Sequence, residues 1–286
     1  MQVLWIIFAA FLFSAMGVCV KFASAHFNVL ELVFYRSVLG CAFTLVVARA
    51  WRRTLLTRNF RLHLWRGISG FFALLLFFFS LSRLHISTAM ALLQTSPLFL
   101  ALLTFVFLRE KMTPPLLAAL AVSFIGMLFI LRPGLTTDDL LVGTAALGAG
   151  AASGLAYFNI RRLGLVNEGG IRTVFYFTGI SAILATLLII GYGTLSPITV
   201  AGAGWLVTIG LTATVGQLAL TRGLHYGHTF VASSLMYTSI IFAGLADFLL
   251  WNEMPDNLSW LGIALISAGG IGALHANRRH SRQHRG

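Results

Sequence analysis

One stretch of the chain occurs twice, and this internal repeat limits the possible folds more than any other feature. The first copy runs from Ser80 to Pro133 and contains two long apolar segments. Within it, Glu110 precedes Gly126 by the same 16 positions that separate Glu253 from Gly269 in the second copy. In apolar chains, such a repeat is typical of transporters built from two similar halves, with the functional site where the halves meet.

The composition indicates a membrane protein. Of the 286 residues, 58% are hydrophobic and only 10% are charged, and the mean hydropathy is +0.89. Soluble domains contain about 25% charged residues. The apolar runs are continuous rather than alternating, which argues against an outer-membrane β-barrel. We therefore predict an all-α integral membrane protein.

Ten apolar segments have the length needed to cross a membrane, about 19–23 residues for a hydrocarbon core of about 30 Å. They are residues 3–22, 28–48, 65–83, 86–108, 114–132, 142–162, 171–191, 203–222, 229–251 and 257–276. They form a first five-helix repeat at 1–133 and a second at 142–276, followed by a basic tail at 277–286. Because five is odd, the two repeats enter the membrane from opposite sides, and the repeat is predicted to be inverted.

The basic residues predict the orientation. Sixteen of the 20 Lys and Arg residues fall in the tail and in loops on one side of the predicted helices. The largest group follows the second span: Arg49, Arg52, Arg53, Arg58, Arg61 and Arg66. The positive-inside pattern places both termini in the cytoplasm and the chain in the inner membrane. It also accounts for the net charge of +12, so no nucleic-acid partner is expected.

Short motifs in both halves point to a known family. They are Phe34-Tyr35-Arg36, Thr95-Ser96-Pro97, Arg109-Glu110-Lys111-Met112-Thr113 with Gly126, and Glu253 with Gly269. With ten spans in two halves, the chain resembles the drug/metabolite transporter superfamily of the EamA type. The resemblance implies alternating access around a cavity lined by helices one, three, four, six, eight and nine. It also implies that export is commoner than uptake. We interpret Glu110 and Glu253, which lie at span ends, as structural.

Polar residues interrupt the fourth and ninth apolar segments at equivalent positions of the repeat, and they form the candidate substrate site. Gln94, Ser96 and Pro97 lie in the fourth segment, and Tyr237 and Ser239 lie in the ninth. A proline in mid-membrane leaves a main-chain carbonyl that another helix or water must satisfy. The alternative is that the proline marks a kink required only for packing.

Two charged residues fall well inside predicted spans. Placing Arg36 in mid-membrane costs about 2.5–3.5 kcal/mol, so it should face protein or a watery cavity. It either ties helices together or contacts an anionic substrate. Asp247 is a candidate for proton coupling, for substrate contact, or for a structural pair with Arg36.

Four further residues inside apolar segments are candidates for the cavity wall: Tyr157, Asn159, Gln217 and Trp5. Each could offer hydrogen bonds or aromatic surface to a substrate, and each could equally serve a contact between helices. Small residues four positions apart in the sixth and tenth spans bring helices together. This closeness serves either the bundle itself or a homodimer, and the sequence leaves both open.

The predicted function is secondary transport, with export of small organic metabolites such as amino acids across the bacterial inner membrane. The alternatives are uptake of a vitamin or S-adenosylmethionine, and a non-transporting sensor or scaffold. An enzyme is not expected, because there is no HExxH motif and Asp247 is the only acidic residue well inside a predicted span. The chain contains no P-loop motif, and Cys19 and Cys41 form no CxxC pair, so no cofactor or metal is expected.

Overall fold

The computed structural model describes residues 2–108, 114–131, 137–192, 195–226, 235–252 and 256–283. All regular secondary structure within these ranges is helical. The helices are α1 Gln2–Ala23, α2 Val29–Ala50, α3 Phe60–Leu81, α4 Ile86–Leu93, α5 Ser96–Leu108, α6 Pro114–Leu131, α7 Thr137–Leu165, α8 Gly170–Tyr192, α9 Val200–Tyr226, α10 Thr238–Trp251 and α11 Asn257–Gln283. Glu110 and Glu253 lie outside the described residues.

Seven stretches of the described residues are long and apolar enough to cross a membrane. They are Leu4–Ala23, Val29–Ala50, Phe60–Leu81, Ile86–Phe107, Leu140–Leu165, Gly170–Gly191 and Gly202–Leu224. Three shorter apolar stretches occur at Leu117–Gly126, Thr238–Trp251 and Asn257–Gly269. The all-helical membrane class predicted from the sequence is therefore confirmed. The count of ten spans and the inverted relation of the halves stay predictions.

The helices of the first half pack mainly on helices of the second half. Helix α3 lies against α7 and α8, and α1 lies against α9 and α10. Helix α2 contacts α8 and α9, and α6 contacts α11. The buried core therefore lies between the two halves of the sequence, where any cavity would be lined by both.

The fourth predicted span is two helices rather than one. Helix α4 ends at Leu93 and α5 begins at Ser96, with Pro97 in its first turn, a position that proline tolerates. Helix α7 approaches this break closely because it carries glycines there. A Cβ on Gly150 would lie 2.8 Å from the carbonyl oxygen of Leu92, and one on Gly154 would lie 2.8 Å from that of Ser96.

A buried carboxylate fixes the start of α2. The Asn28 side chain accepts a hydrogen bond from the Glu31 main-chain N–H at 3.0 Å, and Glu31 Oε2 accepts one from the Asn28 N–H at 2.7 Å. This reciprocal arrangement is a capping box. Glu31 also accepts hydrogen bonds from the main chain and the hydroxyl of Ser196. The loop before α9 is thereby tied to the start of α2.

A second carboxylate, Glu168, ties the start of α8 to the loop before α3. Its Oε1 accepts hydrogen bonds from Thr57 Oγ1 at 2.6 Å and from Asn59 Nδ2 at 2.9 Å. Arg172 Nη1 donates to Oε2 at 2.5 Å, and His63 Nε2 lies 3.5 Å from the same oxygen. Burial raises the pKa of Glu168, but these hydrogen bonds and the Arg172 charge outweigh it and lower the pKa to about 2.

Candidate functional site

A cavity lies at the meeting of the two halves. Its walls come from α1, α2, α3 and α4 of the first half and from α7, α8, α9 and α10 of the second. The cavity has a volume of about 60 Å³. Every lining residue is buried except Leu93, which is partly buried. The cavity is therefore enclosed by protein.

Two arginines dominate the electrostatics of this cavity. Arg36 of α2 and Arg66 of α3 both line it and are only 1% and 2% exposed. Both guanidinium groups lie on the ring of Phe177 in α8, with Cζ 5.3 Å and 4.0 Å from its centroid. Such cation–π contacts stabilise a buried cation in part. The positive potential is thus concentrated where α2, α3 and α8 meet.

Uncharged polar groups complete the cavity wall. Arg66 Nη2 donates a hydrogen bond to Gln217 Oε1 at 3.1 Å. The amide of Gln94 and the hydroxyl of Ser239 are buried and have no hydrogen-bond partner in the part of the chain that the structure describes. Tyr157 also lines the cavity. Because buried polar atoms normally have hydrogen-bond partners, the Gln94 amide and the Ser239 hydroxyl are available to a solute.

Comparison with known proteins identifies the family. The chain matches the EamA-like transporter family over residues 1–132 and 141–274. It belongs to this family. The pseudopaline exporter CntI of Pseudomonas aeruginosa is 28% identical over 264 residues, with 92% of each chain covered. The S-adenosylmethionine uptake transporter of Rickettsia bellii is 21% identical over 276 residues, with 96% of this chain and 94% of that protein covered.

A solved structure shares the fold. At 17% identity it superposes with a TM-score of 0.73 and covers 97% of this chain and 98% of its own. An uncharacterized transporter of Helicobacter pylori is 25% identical over 274 residues. The family and these relatives make the protein a multi-pass membrane transporter, whose expected partner is a small-molecule substrate. They point to transport rather than to catalysis.

Five of the residues singled out from the sequence of this EamA-like transporter line the cavity together. They are Gln94, Ser239, Arg36, Tyr157 and Gln217. The family resemblance implied a cavity lined by spans one, three, four, six, eight and nine. These spans correspond to α1, α3, α4, α7, α9 and α10, and all of them contribute. Helices α2 and α8 contribute in addition, through Arg36 and Phe177. The polar interruptions of the fourth and ninth spans therefore meet across one space.

The other candidates lie elsewhere. Ser96 and Pro97 are buried at the start of α5, and Tyr237 is buried just before α10, but none of the three lines the cavity. Asn159 Nδ2 donates to the Leu155 carbonyl within its own helix at 3.0 Å. Trp5 is 40% exposed.

Trp5 belongs to a different part of the molecule. The Arg222 guanidinium lies 5.2 Å from the centre of its ring, and the two residues line a surface hollow with Trp51, Arg53 and Arg172. The expectation that Trp5 forms a wall of the central cavity does not agree with this placement. Sequence alone does not show which aromatic residue of α1 lies at the depth of the cavity, because the helix contains five of them.

Asp247 does not pair with Arg36. Its two carboxylate oxygens accept hydrogen bonds from the main-chain N–H groups of Ile86 at 3.1 Å and Ser87 at 2.8 Å. These groups form the first turn of α4, where a negative charge is favoured by the helix dipole. The carboxylate is fully buried. Its geometry is that of a cap supplied by a neighbouring helix, outside the cavity lining.

Arg66 is the cavity residue that the sequence interpretation missed. It was assigned to the cytoplasmic loop, but α3 begins at Phe60 and buries it. The sequence around Arg66 is polar and therefore resembles a loop, but His63 and Arg66 lie on a face of α3 that is buried against protein. A signal was present, because His63, Arg66, Gly70 and Ala73 recur at helical spacing. Among the described residues, no cluster of His, Cys, Asp or Glu could hold a metal ion.

Proposed function

We propose that this protein is a secondary transporter that exports small organic metabolites, such as amino acids or related compounds, across the bacterial inner membrane by alternating access. The observation that carries the proposal is the enclosed cavity between the halves. Its volume of about 60 Å³ is several times the roughly 10–15 Å³ that one water molecule needs, so the space admits water and has to widen to hold a metabolite. Polar groups from both halves converge on it, as expected for a site that opens to each side in turn.

The helix contacts support a two-fold relation between the halves, which an inverted repeat requires. If α1, α2 and α3 are exchanged with α7, α8 and α9, the contact of α1 with α9 becomes that of α7 with α3. The contact of α3 with α8 likewise becomes that of α9 with α2, and both are present. Two halves related in this way supply two similar conformations, one open to each side.

The direction of transport is proposed from the relatives. CntI is named as an exporter and covers 92% of the chain at 28% identity. This favours export here. The second candidate is uptake, because a relative from Rickettsia bellii that covers 96% of the chain is named as an uptake transporter.

The test is flux through purified protein in liposomes. Labelled amino acids, nucleosides and vitamins are supplied to either side, each with and without a proton gradient. The Ala156→Phe variant fills the cavity from α7, and the matched Leu187→Phe variant adds the same ring to an exposed site on α8. We expect saturable flux that falls at least tenfold in the first variant only.

The outcomes separate the candidates. Equal flux through both variants would contradict transport through this cavity. Absence of flux for every solute, with folding shown by a cooperative thermal transition, would favour a sensor or scaffold that binds without transport. Faster movement from the periplasmic side than from the cytoplasmic side would favour uptake over export.

A further inference from the structure

We propose that the transported solute is an organic anion whose carboxylates are bound by Arg36 and Arg66 together. The inference rests on the proposed transport function and names the chemical class of the solute. Its basis is two arginines in one enclosed cavity, with N–H donors that no described residue of the protein accepts. A dicarboxylate is the simplest member of this class, because two guanidinium groups match two negative charges.

The first step of the argument is the cost of the charges. Nε, Nη1 and Nη2 of Arg36 are buried without hydrogen-bond partners among the described residues, as are Nε and Nη1 of Arg66. Neither arginine forms an ion pair with any carboxylate in the described part of the chain. A buried cation that lacks a partner is strongly unfavourable. Two such arginines in one cavity therefore indicate that a bound anion offsets the cost of burying their charges.

The second step is the arrangement on Phe177. Both guanidinium groups contact this one ring, so their Cζ atoms can be no farther apart than the sum of the two Cζ–centroid distances. A ring face offers no hydrogen-bond acceptor for N–H groups at the edge of the guanidinium. Those edges remain available to carboxylates, which arginine binds through two parallel N–H···O bonds.

The third step is that the backbone makes room for this arrangement. A Cβ on Gly70 of α3 would lie 2.2 Å from Arg66 Nη1 and 2.5 Å from Phe177 Cε2. Both distances are far inside van der Waals contact. Any other residue at position 70 would displace the guanidinium or the ring, so the local sequence is specifically compatible with the pair.

The fourth step concerns the remaining walls. None of the described residues that line the cavity is acidic. Met90, Met236 and Phe77 provide apolar surface, and Gln94 and Ser239 have buried polar atoms without partners. A suitable solute therefore has carboxylates that bind the two arginines, an apolar carbon skeleton, and a neutral polar or amino group that pairs with Gln94 and Ser239.

The first experiment measures the thermal transition of the purified protein in detergent with defined probes. Succinate, L-glutamate and citrate represent carboxylates, glycerol 3-phosphate represents phosphate esters, and L-lysine and L-leucinamide represent cations. We expect saturable stabilisation by at least one carboxylate, with an affinity reduced at least tenfold in Arg36→Gln and Arg66→Gln. Arg66→Lys, which keeps the charge but not the two-point contact, should also lose affinity.

The control is Arg83→Gln. Arg83 lies 4.7 Å from the ring centre of Phe79 but is exposed and lies outside the cavity. Its substitution should leave carboxylate affinity unchanged. A second readout needs no ligand: Arg36→Met should raise the midpoint of thermal unfolding because it removes an uncompensated buried charge, whereas Arg83→Gln should not.

Three outcomes would overturn the inference: no stabilisation by any carboxylate, equal stabilisation of the Arg36 and Arg66 variants, or stabilisation by glycerol 3-phosphate alone. Failure of the transport proposal is recognised separately, in liposomes. If leucinamide or lysine moves and carboxylates do not, transport stands and the anion assignment fails. If carboxylates bind through both arginines but nothing moves, the anion site stands and transport fails.

Discussion

At the scale of single residues, Asp247 is the group whose role the structure changes most. Asp247→Asn removes one of the two acceptors for the Ile86 and Ser87 N–H groups, together with a negative charge at the start of α4. We expect a loss of about 1–2 kcal/mol in the free energy of unfolding. Flux driven with and without a proton gradient should fall by the same factor.

The comparison that decides between capping and proton coupling is the ratio of these two fluxes. If Asp247→Asn abolishes only the gradient-driven flux, Asp247 couples protons and the capping interpretation is insufficient. Asp256→Asn is the matched control, because Asp256 accepts the Leu258 N–H at 3.2 Å at the start of α11 but is exposed. Its effect on unfolding should be smaller.

Gly70 gives a second prediction at this scale. Gly70→Ala places a methyl group against the Arg66 guanidinium and the Phe177 ring, so we expect it to cost about 1–3 kcal/mol of stability and to reduce flux at least tenfold. Gly204→Ala in α9 is the control, because nothing lies within 4 Å of its added Cβ. That variant should be neutral or more stable by about 0.5–1 kcal/mol.

Thermal unfolding and liposome flux check both glycine variants. Unchanged flux in a folded Gly70→Ala protein would contradict the need for close contact between α3 and the arginine pair. Equal losses in the two variants would show a general intolerance of alanine at helical glycines.

The residues that were found from sequence and those that were missed differ in one respect. Gln94, Gln217 and Arg36 stand out as polar side chains within long apolar runs, so their convergence could be anticipated. Arg66 lies near a helix boundary, where an apolar run fades and polarity no longer distinguishes a loop from a buried turn. The partners of Asp247 are main-chain groups of another helix, which no sequence pattern reveals.

At the scale of elements, the Glu168 cluster predicts a dependence of stability on pH. The pKa of this carboxyl is about 2, below its ordinary value of 4.5, so its stabilising contribution is complete above pH 4.5 and is lost as the pH falls towards 2. Glu168→Gln should therefore lower the thermal midpoint at pH 7, by the equivalent of about 1.5–3 kcal/mol.

The measurement is the difference in midpoint between the native protein and Glu168→Gln over this pH range. It should shrink as the pH falls from 4.5 to 2. Arg172→Met removes one of the three hydrogen-bond donors to Glu168 and also the Arg172 hydrogen bonds to the Thr54 carbonyl, so it should lower the midpoint at pH 7 as well. A difference that is constant with pH would show that the carboxylate charge contributes nothing to this cluster.

The elements also show where hydropathy has limits. Helices α3 and α7 begin five residues before the spans predicted at 65–83 and 142–162. Hydropathy identifies only the apolar middle of a helix. A polar turn can extend the same helix beyond that apolar stretch, and hydropathy then places the helix start too late. The break between α4 and α5 was signalled by Pro97, because proline cannot donate the hydrogen bond that would continue a helix through it.

At the scale of the whole molecule, the two carboxylate clusters are arranged alike. Glu31 at the start of α2 holds the loop after α8, and Glu168 at the start of α8 holds the loop after α2. A carboxylate of each half therefore forms hydrogen bonds with a loop of the other half. In an inverted repeat these two clusters would lie at opposite faces of the membrane, because α2 and α8 would run in opposite directions.

This arrangement can be tested with single cysteines in a background that carries Cys19→Ala and Cys41→Ala. Leu56 lies in the loop after α2 and is 84% exposed, and Ile198 lies in the loop after α8 and is 52% exposed. An impermeant thiol reagent should label Ile198→Cys in intact cells and Leu56→Cys only in inverted vesicles. Positive charge concentrated around Leu56 is the physical reason, because basic loops stay in the cytoplasm.

Labelling of both sites from the same side would contradict an odd number of crossings between them, and with it the inverted repeat. Labelling of Leu56→Cys alone in intact cells would keep the repeat and reverse the orientation of the whole molecule.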